Sequence, residues 1–222
     1  MNIITLVGLL LAVDVLQPVI LFETFNPLTT NLLLIVPSAL LLPKEPLKRQ
    51  PLVNKNNKHN YEIRQAKTQD CQSLALLAAR VWLDTYARDQ VKPEYIEYAN
   101  NTFTPTYFQS LLEQPDYQLL VSECDGVLQG FVLLNLTAHY QTADNGYEVE
   151  KLYIDRPFQG AGLGRALLNQ VARQFGTPMW LYTWTENAAN QFYRRLGAQQ
   201  IGTLSFEAFG STINNNVYKI SL

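Results

Sequence analysis

Glycines at 160, 162 and 164, set between a β-rich segment and an amphipathic helix, constrain this chain more than any other feature. The β-rich segment covers residues 147–154 and is stopped by Pro157. Beyond the glycines, Leu163, Leu167, Val171 and Phe175 recur on one helical face. A strand that enters such a turn and leaves as a helix aims successive backbone N–H groups, and the positive end of the helix dipole, at one place. The turn therefore reads as a nest for a phosphate or pyrophosphate. Gly162 and Gly164 are expected to tolerate a side chain least, because a Cβ would fill the anion's approach or demand a positive φ. Two other phosphate-binding patterns fail on spacing. The dinucleotide fingerprint needs glycine where Arg165 stands, and the P-loop needs a Lys followed by Ser or Thr. The plain alternative is a tight helix entry whose glycines serve packing alone.

Composition excludes several function classes. The 222 residues allow one domain with an appendage or two small domains. With 17 Lys and Arg against 19 Asp and Glu, the chain has no basic surface for nonspecific phosphate binding, and no nucleic acid partner is expected. Two cysteines, Cys71 and Cys124, and two histidines, His59 and His139, are too few and too scattered for a zinc cluster or a disulfide framework. No metal is expected, and a reducing, cytoplasmic compartment is the default. A Ser/His/Asp hydrolase would have to rest on His139, since His59 lies in a polar tract of Lys and Asn.

A seam falls near residue 60. The first 43 residues hold no Lys or Arg and carry three apolar runs, none reaching the ~20 residues of a spanning helix. Asp14, Pro18, Glu23, Pro27 and Pro37 interrupt them, and residues 44–60 form a basic, Pro- and Asn-rich tract. Residues 1–60 carry five basic and three acidic side chains, the remainder twelve and sixteen. The expectation is an apolar N-terminal extension and basic linker over 1–60 that is not a folded domain, followed by one domain over 61–222. The rival reading is a docking or membrane-associating segment, although membrane association is not expected.

From residue 61 the pattern is regular. Residues 61–66 alternate like an edge strand, and Thr68 and Asp70 supply helix-start chemistry ahead of Leu74, Leu77, Ala78, Val81 and Trp82 at helical spacing. A second helical stretch covers 106–113. Residues 117–124 and 127–136 are β-rich around Asp125-Gly126, a strong hairpin signal. Residues 179–183 read as a strand, 188–196 as a helix closed by Gly197, and 201–206 and 217–221 as final strands. The fold class is α/β in the mixed α+β sense, a largely antiparallel sheet flanked by helices.

The stretch Gln159-Gly-Ala-Gly-Leu-Gly-Arg165, preceded by Leu152-Tyr-Ile and followed by Ala166-Leu-Leu, resembles the acetyl-CoA-binding motif of the GCN5-related N-acetyltransferase (GNAT) superfamily. The resemblance covers residues 61–222, and the element order agrees with that fold. It implies that backbone amides of Gln159, Gly160, Ala161, Gly162, Leu163, Gly164 and Arg165 hold the CoA pyrophosphate. It also implies that Leu152, Tyr153 and Ile154 hydrogen-bond the pantetheine and orient the thioester. The segment from Trp184 to Gly197 resembles the superfamily's Asn, Phe-Tyr, Leu-Gly pattern, in which Asn187 would contact pantetheine and Tyr193 would protonate the departing thiolate. Asn187 lies six positions before Tyr193 where the usual spacing is seven and meets Glu186. Without the resemblance, Ala189, Phe192, Tyr193 and Leu196 read as a core stripe.

Transfer to an amine needs a neutral nitrogen. Glu148 and Glu150, two apart on the strand entering the turn, share a face unless a bulge intervenes, and either could take the proton through a water. As solvated surface charges they would have no such role. Asp84, Asp89 and Glu94, around Trp82 and Tyr86, could form an acidic rim. Trp82-Leu-Asp-Thr-Tyr86, Glu148-x-Glu-x-Leu-Tyr, Phe192-Tyr193 and the tail ending Asn216-Val-Tyr-Lys are similar to the bacterial spermine/spermidine acetyltransferase-like branch, although Asn214, Asn215 and Asn216 replace acidic character expected there. The combined expectation is an acyltransferase moving acetyl from acetyl-CoA to a small primary amine, polyamines first. The alternatives are transfer to peptide or protein amino groups, a noncatalytic acyl-CoA-binding regulatory module, and an interaction protein governed by its apolar front. A homodimer is compatible with the chain.

Overall fold

Seven strands form a single sheet in the order β1-β2-β3-β4-β5-β7-β6 in the computed structural model, which describes residues 61–88 and 90–222. The extension and linker assigned to 1–60, and Asp89 of the acidic rim, lie outside the described residues. The strands are β1 (Glu62–Gln65), β2 (Tyr117–Cys124), β3 (Val127–Asn135), β4 (Tyr147–Ile154), β5 (Met179–Trp184), β6 (Gln199–Ala208) and β7 (Ser211–Ile220). Every neighbouring pair is antiparallel except β4 and β5.

Helices cover both faces. Between β1 and β2 lie α1 (Cys71–Tyr86), α2 (Pro93–Thr102) and α3 (Pro105–Leu112), which bury Leu74, Leu77, Ala78, Phe108 and Leu111 against Leu119, Val121, Phe131 and Leu133 of the sheet. On the other face α4 (Leu163–Phe175) and α5 (Ala189–Arg195) bury Leu167, Leu168, Val171 and Tyr193 against Leu120, Val132, Leu134, Met179, Leu181 and Tyr218. The alternation along β2 and β3 is thus the division between two cores.

Local chemistry explains most boundaries. The Asp70 carboxylate, buried at the start of α1, accepts from the Lys67 amide at 2.7 Å and from Arg64 at 2.7 and 3.0 Å. Arg64 also pairs with Glu123 of β2, so one guanidinium ties β1, β2 and the helix start together. Its hydrogen bond holds the Asp70 carboxyl below the usual carboxylate range, against a burial effect that pushes it up. Prolines open α2 and α3, and the Thr104 hydroxyl accepts from the Tyr107 amide at 3.1 Å. Asp125 and Gly126 turn β2 into β3 with φ of 50° and 78°, the left-handed pair a tight hairpin requires.

Three elements differ from the sequence reading. Helix α2 was not anticipated, because its sequence PEYIEYANNT offers only the short stripe Tyr95, Tyr98 and Ala99, of which Ala99 alone is buried. The last two strands are longer than the apolar pattern indicates. In β7 the run Asn214, Asn215, Asn216 has poor strand propensity. Tertiary hydrogen bonds hold it: Asn215 donates to the carbonyls of Leu204 and Ile213 at 3.3 and 3.2 Å, and Asn216 donates to Asn190 at 2.9 Å. These side chains serve the sheet. Among the described residues no helix is long and apolar enough to cross a membrane.

Asn190 of α5 joins the C-terminal half. Its amide donates to the carbonyls of Trp184, Thr185 and Asn187 at 2.8, 3.1 and 2.7 Å, and its carbonyl accepts from Asn216 and from the Tyr218 hydroxyl at 2.9 and 3.0 Å. Truncation removes five hydrogen bonds at once and orphans the buried Tyr218 hydroxyl. Asn190→Ala is expected to lower unfolding free energy by about 2–4 kcal/mol in urea titration. A loss below ~1 kcal/mol would show that the network is dispensable.

Candidate active site

Strands β4 and β5 pair only at Tyr147 with Met179 and Glu148 with Trp180, after which they part. β4 continues along β3 as far as Ile154 opposite Gly130, and β5 continues along β7 as far as Trp184 opposite Asn215. The edge of β4 that faces β5 beyond Glu148 therefore has no strand partner, and its polar backbone groups border a cleft. A cavity of about 1070 Å³ opens there, lined by Leu152, Tyr153 and Ile154 on one wall and Thr183, Asn187 and Tyr193 on the other, with Tyr86 of α1 also contributing. Gly130 lets β4 sit close at this end, since a Cβ there would lie 2.6 Å from Ile154 Cδ1 and 2.7 Å from the Tyr153 carbonyl oxygen.

The glycine turn closes one end of the cleft. Gly160 and Gly162 adopt φ of 77° and 84°, and a Cβ on either would meet no protein atom within 4 Å. Their requirement is conformational. Gly164 departs from expectation: its φ is not positive, and a Cβ would instead stand 3.1 Å from Phe192 Cζ. It is small because α4 packs there on α5. The first helical hydrogen bond runs from the Ala166 amide to the Gly162 carbonyl at 3.0 Å, so the amides of Leu163, Gly164 and Arg165 have no partner within the helix. The Gln159 side chain folds back to the Ile154 carbonyl at 2.9 Å. Arg156, Arg165 and Arg195 also line the cleft. Of the turn residues, Ala161 alone is absent from the cavity lining. Free amides, a helix N-terminus and three guanidinium groups fit a diphosphate, and the unpaired strand edge fits an extended amide-bearing chain.

Tyr193 is 6% exposed, packed between Phe192 and Tyr218 with ring centroids 5.2 and 5.7 Å away. Burial, reinforced by Tyr218 and Tyr86, pushes its hydroxyl well above the ordinary tyrosine range, so it stays protonated. Asn187 borders the same cleft, and its Oδ1 accepts from the Ala189 amide at 2.9 Å, capping α5. Glu186, at the family's usual spacing, is exposed.

A bulge does intervene in β4. Opposite β3 the register passes from Val149 with Leu134 to Lys151 with Leu133, skipping Glu150. Tyr147, Val149, Leu152 and Ile154 pack with the α4 core and Tyr153 with the α1 core. The bulge therefore leaves Glu148 and Glu150 on one face and adds Lys151 to it. Glu150 forms an ion pair with Lys151, and its Oε1 accepts from the Tyr107 hydroxyl at 3.3 Å, while Lys151 donates to that hydroxyl at 3.1 Å. Burial and the neighbouring Glu150 carboxylate push Glu148 up to about 7, against a smaller downward pull from Lys151. Glu150 and Lys151 line the cleft, whereas Glu148 is not part of its lining and belongs to the last β4–β5 pair, opposite Trp180, before the strands part. Of the acidic rim, Asp84 lines the cleft and Glu94 lies exposed in the first turn of α2.

Lys151 and Tyr107 escaped the sequence reading, because a bulge leaves no mark on alternation short enough to count. Asn190 escaped because one polar residue on a helix face carries no sign of burial.

This fold and cleft are those of an acyl-CoA-dependent acyltransferase. The chain belongs to the acetyltransferase (GNAT) family, whose family model matches residues 65–198. It is 24% identical over 143 residues to an uncharacterized N-acetyltransferase of the pepI 3′ region of Lactobacillus delbrueckii subsp. lactis, covering 61% of this chain and 83% of that one. Over 96 residues it is 32% identical to an L-ornithine N5-acetyltransferase of Arabidopsis thaliana, covering 40% of this chain and 42% of the relative. Among solved structures, the PaiA N-acetyltransferase of Thermoplasma acidophilum in complex with coenzyme A has a TM-score of 0.57 at 20% identity, over 74% of this chain and all of that one. A putative acetyltransferase, YncA, of Salmonella typhimurium with acetyl-CoA has a TM-score of 0.53 at 24% identity, over 73% and 94%.

The glycines separate by mechanism. Gly162→Ala imposes about 1–2 kcal/mol of left-handed strain, relieved only if the turn moves, and is expected to weaken CoA binding roughly tenfold by calorimetry. Gly164→Ala, which asks Phe192 to yield by tenths of an ångström, is expected to change it less than about threefold. Equal losses would show that both act through the phosphate's approach space.

Proposed function

We propose that this chain transfers acetyl from acetyl-CoA to a small primary amine by direct attack, with Glu148 as the base and Tyr193 as the acid. What supports the reading most is the parting of β4 and β5: one cleft borders an unpaired strand edge, a diphosphate nest and the Tyr193 ring, and Glu148 belongs to the last residue pair before the strands part. Amides of the free β4 edge hold the pantetheine chain and polarise the thioester carbonyl.

The amine loses one proton to Glu148 through a water, its nitrogen attacks the acetyl carbon, and as the carbon–sulfur bond breaks the nitrogen releases its second proton to solvent, from which the Tyr193 hydroxyl is restored after each turnover. The sulfur takes its proton from the Tyr193 hydroxyl. Burial that raises the tyrosine also raises the proton affinity of a thiolate in the same cleft, so the transfer is matched. Glu150 is held by Lys151 and Tyr107, which suits it to balancing charge. Two carboxylates and several tyrosines favour a cationic aliphatic amine, polyamines first, while the Lys151 ammonium offsets one of the carboxylates.

Tyr193→Phe is expected to lower kcat by about a hundredfold or more with CoA affinity retained; full turnover would remove the tyrosine acid. Because a base must be ionised, kcat/KM is expected to rise with pH through about 7, the value to which Glu148 is pushed. The neighbours fix the sign of two further shifts. Lys151→Met removes a cation that favours the Glu148 carboxylate and moves this limb to higher pH, whereas Glu150→Gln removes a like charge and moves it lower with turnover kept. Loss of turnover in Glu150→Gln, with Glu148→Gln active, would reverse the assignment of the base.

A further inference from the structure

The tip of the β6–β7 hairpin carries an aromatic residue in a backbone state that disfavours one. Phe209 and Gly210 connect the pair Ala208 and Ser211 with φ of 54° and 69°. Such two-residue turns favour Asn, Asp or Gly at the first position. The same chain solves the same turn with Asp125-Gly126 between β2 and β3, at φ of 50° and 78°. A bulky residue with positive φ persists only where its surroundings hold it.

Phe209 is held by aromatic rings from two other elements. Its centroid lies 4.9 Å from Tyr95 and 5.6 Å from Tyr98 of α2, both at 88°, and 5.8 Å from Trp82 of α1 at 61°. These edge-to-face pairs offset the strain of the turn. Through them the hairpin at one edge of the sheet is bolted to α1 and α2. The same rings lead into the cleft: Trp82 is 4.9 Å from Tyr86, which lines the cavity and stacks on Trp184 at 5.8 Å. On the other side Tyr98 reaches Phe103 at 6.2 Å, and Phe103 reaches the cavity-lining Tyr153 at 6.4 Å.

We propose that Phe209 is a latch that fixes the β6–β7 hairpin against α1 and α2 and so sets the size of the acceptor: a short aliphatic amine enters, and an amine carried on a peptide chain does not. Selectivity rests on the transfer reading above; the latch itself does not. With the hairpin docked, Phe209 and the rings around it stand behind Tyr86 and Tyr153, which line the same cleft as Glu150 and Lys151. With it released, α1 and α2 on one side and the hairpin on the other become separate banks of an open groove.

The test uses Phe209→Asn, which suits the turn and deletes the ring, with Phe209→Tyr as the conservative control. Phe209→Asn is expected to keep its far-ultraviolet dichroism while acrylamide quenching of tryptophan fluorescence rises about twofold or more, since Trp82 is 7% exposed in the docked state. With 1,4-diaminobutane as acceptor its kcat/KM is expected to fall about fivefold, mostly through KM, while transfer to a lysine-containing pentapeptide rises. Phe209→Tyr is expected to behave as the unaltered chain. Unchanged quenching overturns the latch, and raised quenching with an unchanged ratio of the two acceptors overturns the selectivity alone. An unaltered chain that binds CoA but acetylates neither acceptor overturns the transfer reading and the selectivity together, and is told apart by the quenching result.

Discussion

The parting of β4 from β5 after two residue pairs is the constraint on which the rest depends. A parallel ladder carried to the strand ends would consume the backbone groups that now border the cleft. Keeping it open costs hydrogen bonds that the sheet would otherwise make. The structure offsets that cost on each side: β4 pairs with β3 from Glu148 to Ile154 apart from the bulge at Glu150, close against Gly130, and β5 is held to β7 and α5 by the Asn190 network. The glycine turn then caps the gap with the start of α4, where unpaired amides are unavoidable.

Charge in the cleft follows from one irregularity. A regular β4 would send Lys151 to the α4 core, where an ammonium among Leu167, Leu168 and Val171 would have no partner. The bulge at Glu150 turns it to the other face, beside Glu150 and Tyr107. Burial by itself lowers the proton affinity of Lys151, yet its two partners outweigh burial and leave it above the ordinary lysine value. The face therefore holds two carboxylates and one cation within a few residues, and Glu148, the carboxylate outside the ion pair, is the one displaced toward neutrality.

How much was legible varies with the range of the interaction. The glycine turn, α4, the Asp125-Gly126 hairpin and the strand leading to Ile154 were readable because each is written in spacing over fewer than about twenty residues. Helix α2 was not, since its stripe of Tyr95, Tyr98 and Ala99 is a single turn and its place rests on the Pro93 start and on aromatic contacts to Trp82. Of the two reasons that make glycine special at 162 and 164, the positive φ holds at 162 and is shared with 160 rather than 164: which glycine bears it depends on how the turn meets the helix.

By itself the sequence determined the family motif, the division of apolar residues between two sheet faces, and the chemical types available near the turn. Those are local matters, set by side-chain period and backbone sterics. Only the tertiary structure decided that Tyr193 borders a cleft as well as a core, that Glu148 stands apart while Glu150 is committed to Lys151, and that Phe209 lies across α1 and α2. Each of these depends on which strand edges stay unpaired and on where a register slips by one residue. Such choices are made by long-range packing, which weighs whole faces against one another, and no window of neighbouring residues contains them.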